Sequence, residues 1–359
     1  MYYLASHPPF FLDQHARIRY ACTQWTAPVS HSFLQMLLSV VIPVYNALPY
    51  LSKCVESVCA APVDDMEIIC VDDGSTDGSA SLLEELAAAE PRVRVVHRAN
   101  GGVSAARNTG LAEVRGEYVS FVDADDTLEA DFLPQLLEAA RAFPGADCVI
   151  GGHKRLENGV AWCVPVCSAI QAVEGVVPLA ATISACGKLY GRRRLQESGA
   201  LFAGKVRYGE DTLFNHMAFP LCNRVLLCPA CGYVYHACSG SLSTHSNDLV
   251  TDMAQATGIL AGFLAAHPEA PLRDDYLVSY AVHALRRIRS MAPHAVQRAC
   301  AAKVRAALQQ LSLSPEKLPA SLSPKNRALL RKVLLGNSAL GPGYYWKRFS
   351  RLFKQCIQK

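Results

Sequence analysis

Between residues 38 and 150, short apolar strands alternate with helical segments, and this alternation restricts the fold more than any other feature of the chain. Residues 38–45 form a continuous apolar run rich in β-branched side chains, which predicts a buried strand. The same pattern returns at residues 67–71, 92–97, 117–122 and 146–150. Strands that alternate with helices predict a mostly parallel central sheet with helices on both faces.

Size and composition indicate a folded protein without a nucleic-acid partner. Of the 359 residues, 51% are hydrophobic and 18% are charged, so the chain can bury a large core. A formal net charge of +4 is too small to indicate binding of nucleic acid. The first 30 residues lack the apolar core of a signal peptide, and the apolar run 33–44 is too short to span a bilayer.

The cysteines indicate a reducing compartment. The chain has 14 of them, scattered through predicted core strands, which is typical of free thiols in a reducing environment. We therefore expect a cytoplasmic protein that is soluble or peripheral at the inner face of the membrane.

These patterns divide the chain into four segments: 1–36, 37–245, 246–340 and 341–359. The first segment is interpreted as an extension, with Met36 as an alternative start, or as an ordered arm packed on the domain. The second is the predicted main domain, with a first half at 37–150 and a second half at 151–245. The third carries apolar residues at helical spacing, which predicts a helical C-terminal region.

The last segment mixes basic and apolar side chains. Its apolar residues recur at helical spacing, with Lys and Arg between them: Trp346, Phe349, Leu352, Phe353 and Cys356. This composition is typical of an amphipathic helix that lies in a membrane surface. A terminal helix docked on the body of the protein explains the pattern equally well.

Acidic clusters follow two of the predicted strands. Parallel sheets bind ligands at the carboxyl ends of their strands, so Asp72–Asp77 and Asp123–Asp126 lie where a ligand is expected. Asp123 and Asp125 stand two residues apart and repel each other unless a cation lies between them, which favours Mg²⁺ or Mn²⁺. A solvated turn is the simpler alternative for an isolated pair of this kind.

Two further motifs offer polar side chains. The segment Asp72-Asp73-Gly74-Ser75 places a carboxylate and a glycine at a strand end, which suits a nucleoside, although a plain turn with a helix cap explains it too. Glu210 and Asp211 follow Gly209 and precede an apolar helix. Asp211 is either a cap of that helix or the general base that a hydroxyl nucleophile requires.

A group of cysteines leaves two interpretations open. The spacing of one set is compatible with a zinc site: Cys222, Cys228, Cys231, His236 and Cys238. The stretch 225–235 also has the pattern of a pair of strands with buried thiols, and we favour that interpretation.

Together these motifs resemble glycosyltransferase family 2, a family of inverting transferases with the GT-A fold. The resemblance covers about residues 38–245 and rests on motifs in the family's order: SVVIPVYN at 39–46, EIICVDDGSTD at 67–77, GGVSAARNTG at 101–110, YVSFVDADD at 118–126, KLY at 188–190, GED at 209–211 and SGSLS at 239–243. It implies a GT-A type α/β fold whose first half binds the nucleotide in a Rossmann-like manner.

The resemblance also implies roles for individual residues. Asp73 would accept a hydrogen bond from the base, Asp123 would contact the ribose and the metal, and Asp125 would be the main ligand of Mn²⁺ or Mg²⁺. The nucleotide-sugar would be held by Pro43, Tyr45, Asn46, Asp73, Gly74, Ser75, Arg107, Asp123 and Ala124. Asp211 would be the general base, and the acceptor side would include Lys188, Glu210 and His236.

The sequence departs from the family pattern before Lys188, where Cys186-Gly187 stands in place of the usual Trp-Asn; this affects the acceptor pocket more than the donor site. His236 has a structural histidine as its equal alternative. A dinucleotide-dependent oxidoreductase is disfavoured because no glycine motif follows the first strand. A nucleotidyltransferase would need a glycine- and lysine-rich phosphate loop near that strand, and the sequence has none there. A non-catalytic nucleotide-sugar-binding relative is the second alternative; it should have lost Asp125 or Asp211, and both are present.

The expected activity is transfer of a sugar from a nucleotide-diphosphate sugar, with a UDP-sugar favoured, to an acceptor hydroxyl. The acceptor is expected to be a saccharide or a lipid-linked saccharide, in the synthesis of a surface polysaccharide or oligosaccharide.

Overall fold

One mixed β-sheet organises the part of the chain that the structure describes. The computed structural model describes residues 38–157, 160–236 and 246–336. The strands are β1 (Leu38–Val44), β2 (Met66–Asp72), β3 (Val93–His97), β4 (Tyr118–Phe121), β5 (Thr127–Leu128), β6 (Cys148–Glu157), β7 (Val160–Val164), β8 (Gln171–Ala172), β9 (Lys188–Gly191) and β10 (Val225–His236). The helices are α1 (Leu48–Cys59), α2 (Ser79–Ala89), α3 (Val103–Glu113), α4 (Phe132–Ala142), α5 (Arg192–Ser198), α6 (Glu210–Ala218), α7 (Ser246–Ala266), α8 (Arg273–Met291), α9 (His294–Gln310) and α10 (Pro324–Leu334).

The strand order is β3-β2-β1-β4-β9-β6-β10-β5, with β7 beside β6 and β8 beside β10. The first four strands are mutually parallel. Strand β9 then runs antiparallel to both β4 and β6, and β6 and β10 are parallel to each other. The carboxyl ends of β1, β2, β4 and β10 therefore share one edge of the sheet, and the polar loops collect there.

The predicted elements of the first half are confirmed to within two residues at most ends. Every residue of β1 is buried, as its continuous apolar run requires. Helix α1 has four apolar residues at helical spacing, and all four are buried: Leu51, Cys54, Val55 and Val58. At the start of α2, Gly78 occupies the N-cap position, and Asp77, one residue earlier, provides the capping carboxylate. The Asp77 carboxylate accepts the N–H groups of Ser79 and Leu48, so it caps α2 and α1 together.

The second half contains strands that the sequence did not predict. Strand β6 continues to Glu157, and β7 pairs with it as a hairpin. Residues 225–236 form one long strand with register shifts, where a pair of strands was predicted. Cys163 and Cys231 are joined by a disulfide, so the expectation of free thiols is wrong for this pair. Cys231 is thereby removed as a zinc ligand, and Cys238 lies outside the described residues.

The helical region predicted at 246–340 is present as α7–α10. Helix α7 is long and apolar enough to cross a bilayer by length and composition, a segment that the sequence analysis did not single out. A core helix of a soluble protein passes the same test, and α7 packs against α6, α8 and α9. Residues 1–36 and the tail 341–359 lie outside the described residues.

Candidate active site

The acidic loop after β4 is held in place by the end of β10. Asp126 is buried, and its carboxylate accepts hydrogen bonds from the Tyr233 hydroxyl at 2.5 Å and from the backbone N–H of His236 at 2.9 Å. The same hydroxyl accepts the N–H of Asp123 at 3.3 Å. Asp123 and Asp125 remain partly exposed on either side of this anchor. Asp126 is therefore a structural residue, and the two acids just before it in the chain, Asp123 and Asp125, stay partly exposed.

Burial and mutual repulsion act on these acids. Burial, and then the charge of Asp123, raise the pKa of Asp125. The same two causes raise the pKa of Asp126 to about 8. Both effects show that negative charge is crowded at the end of β4, and a divalent cation relieves such crowding.

The Asp123 and Asp125 carboxylates fit Mg²⁺ or Mn²⁺, which proteins hold through one or two carboxylates together with phosphate oxygens and water. Among the described residues, no three His, Cys, Asp or Glu side chains are grouped to hold a metal by themselves. Beyond these two carboxylates, an ion at this loop would need further ligands, such as phosphate oxygens and water.

Asp211 lies at the start of α6, opposite the acidic loop. Gly209 precedes the helix with a φ of 79°, which turns the chain so that Glu210 and Asp211 begin it. One Asp211 oxygen accepts the backbone N–H of Ala185 at 3.0 Å. Burial raises the pKa of Asp211, and burial with the neighbouring Asp211 raises that of Glu210. A raised pKa suits a carboxylate that must take a proton from a hydroxyl.

Side chains on β9 and α6 hold the loop whose Ala185 N–H donates to Asp211. Lys188 is buried and donates to the carbonyls of Ser184 and Cys186. The Tyr190 hydroxyl donates to Asn215 at 2.7 Å, and the Asn215 amide donates to the Ser184 carbonyl at 2.8 Å. Lys188 thus stabilises the loop 184–186, which carries the N–H that donates to Asp211.

Arg107 connects the two sides of the site. Its guanidinium donates to Asp211 at 2.6 Å, to Asp123 at 2.7 Å and to Glu210 at 3.4 Å. Only 3% of its side chain is exposed. The guanidinium carbon lies 5.1 Å from the centre of the Phe202 ring, and a ring at this distance stabilises the cation. One buried arginine on α3 therefore holds an acid from β4 and an acid from α6.

The carboxylate of Asp73, a residue predicted to bind the donor, is hydrogen-bonded to other residues of the chain. Its carboxylate accepts the N–H groups of Gly101 at 3.0 Å and Gly102 at 2.7 Å, and it pairs with Arg98. Its side chain is 3% exposed. Gly74 lies so close to this loop that a Cβ there would come within 2.9 Å of the Asn100 nitrogen, so no larger residue fits.

Other predicted donor residues form an open wall beside Asp73. Tyr45 is 53% exposed, which leaves its ring free to lie against a flat ligand. The Asn46 amide oxygen accepts the N–H of Thr76, and the Ser75 hydroxyl accepts the N–H of Asn46. Pro43 and Ala124 are buried behind this wall.

The structure brings the remaining predicted residues to the same edge. His236 ends β10, and its Nε2 lies 2.9 Å from the Thr127 hydroxyl. Glu210 stands beside Asp211. Sequence reasoning missed Tyr233, which holds the acidic loop, and Asn215, which holds the loop 184–186. Only the polar character of these two residues within apolar segments could have drawn attention to them.

Comparisons with known proteins agree with this architecture. Residues 39–166 match the family model described as Glycosyl transferase family 2. The chain is 31% identical over 216 residues to the uncharacterized glycosyltransferase EpsJ of Bacillus subtilis, covering 58% of this chain and 63% of EpsJ. It is 35% identical over 133 residues to chondroitin synthase of Escherichia coli, covering 35% of this chain and 19% of that protein. The aligned parts thus span less than two thirds of either relative.

The fold is similar to that of S. aureus TarS 1-349, solved in complex with UDP-GlcNAc, with a TM-score of 0.67 and 22% sequence identity. That similarity covers 85% of this chain and 89% of TarS 1-349. The fold and the strand-end acids define a protein of the GT-A class, as the sequence predicted. The family prediction is confirmed for the matched segment: residues 39–166 form a domain of glycosyltransferase family 2.

Proposed function

We propose that this protein is an inverting, metal-dependent glycosyltransferase that moves a sugar from a nucleotide-diphosphate sugar to an acceptor hydroxyl. The observation that carries the proposal is the pairing of Asp123 and Asp211 on the guanidinium of Arg107. This pairing sets an acid of the donor-side loop and an acid of the acceptor side within one hydrogen-bonded network. A transferase needs that proximity, because donor and acceptor must meet between the two.

The chemistry of the residues supports these roles. Asp211 accepts the proton of the attacking hydroxyl, and its raised pKa favours that transfer. The attack then comes from the side opposite the leaving diphosphate, so the configuration at the anomeric carbon inverts. A Mn²⁺ or Mg²⁺ ion held by Asp125 and Asp123 would supply neutralisation of the charge that grows on the leaving diphosphate.

The donor wall is proposed to consist of Tyr45, Asn46, Ser75 and the Asp73 region, with a UDP-sugar as the favoured donor. The structural neighbour TarS, solved with UDP-GlcNAc, supports that preference. Similarity to a chondroitin synthase supports a role in polysaccharide synthesis. We propose a saccharide or lipid-linked saccharide as acceptor, reached at the inner face of the membrane.

A donor screen tests the proposal. Calorimetric titration with UDP-, GDP- and dTDP-sugars, with and without Mn²⁺, should show metal-dependent binding of one donor to the wild type. Asp125→Ala should lose the metal dependence, because the main carboxylate for the ion is gone. Asp211→Asn should still bind that donor, while release of the nucleoside diphosphate slows by about 10²–10⁴-fold, the usual contribution of a general base.

The two variants act as controls for each other, since one addresses the donor site and the other the base. Absence of binding for every donor would contradict the proposal and indicate a degenerate or partner-dependent relative. Unchanged turnover in Asp211→Asn would remove Asp211 as the base while leaving the donor site intact.

A further inference from the structure

We propose that Arg107 is a positioning residue that fixes the general base against the donor-side acid, rather than a ligand of the nucleotide-sugar. This inference rests on the proposed function, because it assigns Arg107 a part in the same transfer step. The family resemblance placed Arg107 among the donor-binding residues. The structure engages its terminal nitrogens elsewhere.

The contacts of Arg107 are divided between the two sides of the site. One terminal nitrogen donates to Asp123 at 2.7 Å, and the other donates to Asp211 at 2.6 Å. The guanidinium group is rigid and planar, so these two hydrogen bonds fix the distance and the relative orientation of the carboxylates. A lysine in its place has a single charged nitrogen and lacks this two-armed geometry.

The surroundings keep Arg107 in this arrangement. Its side chain is 3% exposed and lies against the Phe202 ring. That ring belongs to a buried aromatic cluster formed by Phe121, Tyr190, Phe202 and Phe214. In so apolar a setting a lone charge is costly, and Arg107 remains buried because carboxylates surround it. Turning it out toward a donor phosphate would leave Asp211 buried without its cation.

The balance of charge explains why this arginine matters to the base. Three carboxylates, those of Asp123, Glu210 and Asp211, share the one guanidinium. The positive charge opposes the effect of burial on Asp211 and favours its ionised form. Asp211 also keeps its second oxygen on the Ala185 N–H. Arg107 and Ala185 together hold the base in one orientation, and only Arg107 also contacts the donor side.

Arg98 offers a matched comparison. It too lies on the donor-side segment and pairs with a buried aspartate, Asp73, but no hydrogen bond or ion pair joins it to Asp211 among the described contacts. Arg98 therefore serves as the control for loss of an arginine–aspartate pair that does not involve the base.

The test is a double-variant cycle on the full chain, with Arg107→Met, Arg98→Met and Asp211→Asn, alone and combined. The donor is the one selected from UDP-, GDP- and dTDP-sugars by binding to wild type with Mn²⁺, and turnover is followed as release of the nucleoside diphosphate. We expect Arg107→Met to lower kcat by about 10²-fold, the cost of misplacing a reacting group, and to change the donor Kd by less than about threefold. Arg107→Lys should recover part of kcat.

The combined variants separate the roles. Arg107→Met should add little to the loss in Asp211→Asn, because both changes disable the same base. Arg98→Met should weaken donor binding, and its effect should add to that of Asp211→Asn. Thermal melts of each variant identify any that fail to fold, and Arg107→Lys then replaces Arg107→Met in the cycle.

The outcomes are distinguishable. A weaker donor Kd with unchanged kcat in Arg107→Met, or full additivity with Asp211→Asn, would overturn the positioning role while leaving the transferase intact. Absence of transfer by the wild type with every donor would overturn the proposed function, and this inference with it.

Discussion

At the scale of single residues, the acids of this site could be predicted from the sequence, but their shared partner could not. Asp123, Asp125 and Asp211 stand at strand or helix ends, where local pattern gives them meaning. Arg107 lies 104 positions from Asp211, and nothing local connects the two. Asp73 was predicted to contact a base, and that role stays a prediction because the carboxylate holds Gly101, Gly102 and Arg98 in the structure.

Helix α6, which begins with Glu210 and Asp211, also contains a buried histidine, His216. Its Nδ1 lies 2.8 Å from the Thr212 carbonyl, and its ring packs edge-on against Tyr276 and Tyr280. Burial lowers its pKa to about 4, from an ordinary value of 6.5. At pH 7 the ring is neutral in both the folded and the unfolded chain. Below pH 6.5, His216 binds a proton in the unfolded chain but stays neutral in the folded chain. The free energy of unfolding therefore falls with pH until about pH 4.

We therefore expect His216 to cost the protein on the order of 3 kcal/mol of unfolding free energy between pH 6.5 and pH 4. His216→Phe keeps the aromatic contacts and cannot take up a proton, so its unfolding free energy should fall less steeply over this range. Urea unfolding at several pH values measures the difference. His294→Gln, at an exposed position, is the control and should follow the wild type. Equal slopes for wild type and His216→Phe would contradict the prediction.

At the scale of elements, α3 is the part that aligns the site. Its preceding loop supplies the two N–H groups that Asp73 accepts, and its middle supplies Arg107. The sequence predicted this helix, together with the strands of the first half, because each has a clear apolar period. It did not predict β7, in which the apolar residues Trp162 and Val164 are exposed, because exposed apolar side chains do not follow the buried pattern from which a strand is predicted.

Gly110 sets how closely α3 approaches the sheet. A Cβ at this position would come within 2.3 Å of Val41, which is fully buried on β1. Gly110→Ala should therefore push α3 outward, lower the unfolding free energy by about 1–3 kcal/mol as overpacked cores do, and slow turnover by displacing Arg107. Unfolding in urea and nucleoside diphosphate release measure both effects.

The matched control is Gly258→Ala in α7, where, apart from the helix's own backbone and the two chain neighbours, no described atom lies within 4 Å of the added methyl group. There the change should raise stability by up to about 1 kcal/mol, because alanine favours a helix over glycine. Destabilisation at position 258, or none at position 110, would show that the helix–sheet distance is not set by this contact.

At the scale of the whole molecule, the described residues place the site on one edge of a sheet and the helices α7–α10 behind α6. The fold class and the helical region could be predicted from the sequence, because an apolar pattern repeated over a long segment indicates its secondary structure whatever packs around it. The order of strands in the second half did not, since β9 enters between β4 and β6 from far along the chain. The interpretation of the tail stays a prediction.

We predict that the tail 341–359 binds the protein to a membrane surface. Its lysines and arginines lie among aromatic residues, and each basic residue near an anionic surface contributes about 1 kcal/mol. Deleting the tail should lower binding to phosphatidylglycerol-containing vesicles by at least about tenfold, as measured by co-sedimentation, and leave donor binding unchanged. Neutral phosphatidylcholine vesicles are the control. Equal binding with and without the tail would favour a helix docked on the protein.

The short contact between the two halves of the sheet carries a consequence for how such enzymes diversify. Strand β9 meets β4 through two residue pairs, Tyr118 with Gly191 and Val119 with Tyr190. We expect recombination between relatives at this contact to exchange the proposed acceptor-binding segment and to leave the proposed donor site unchanged. Such a chimera should keep its activity when the incoming segment supplies an aspartate that pairs with Arg107. Exchange of a segment would then change the acceptor without a change in the reaction.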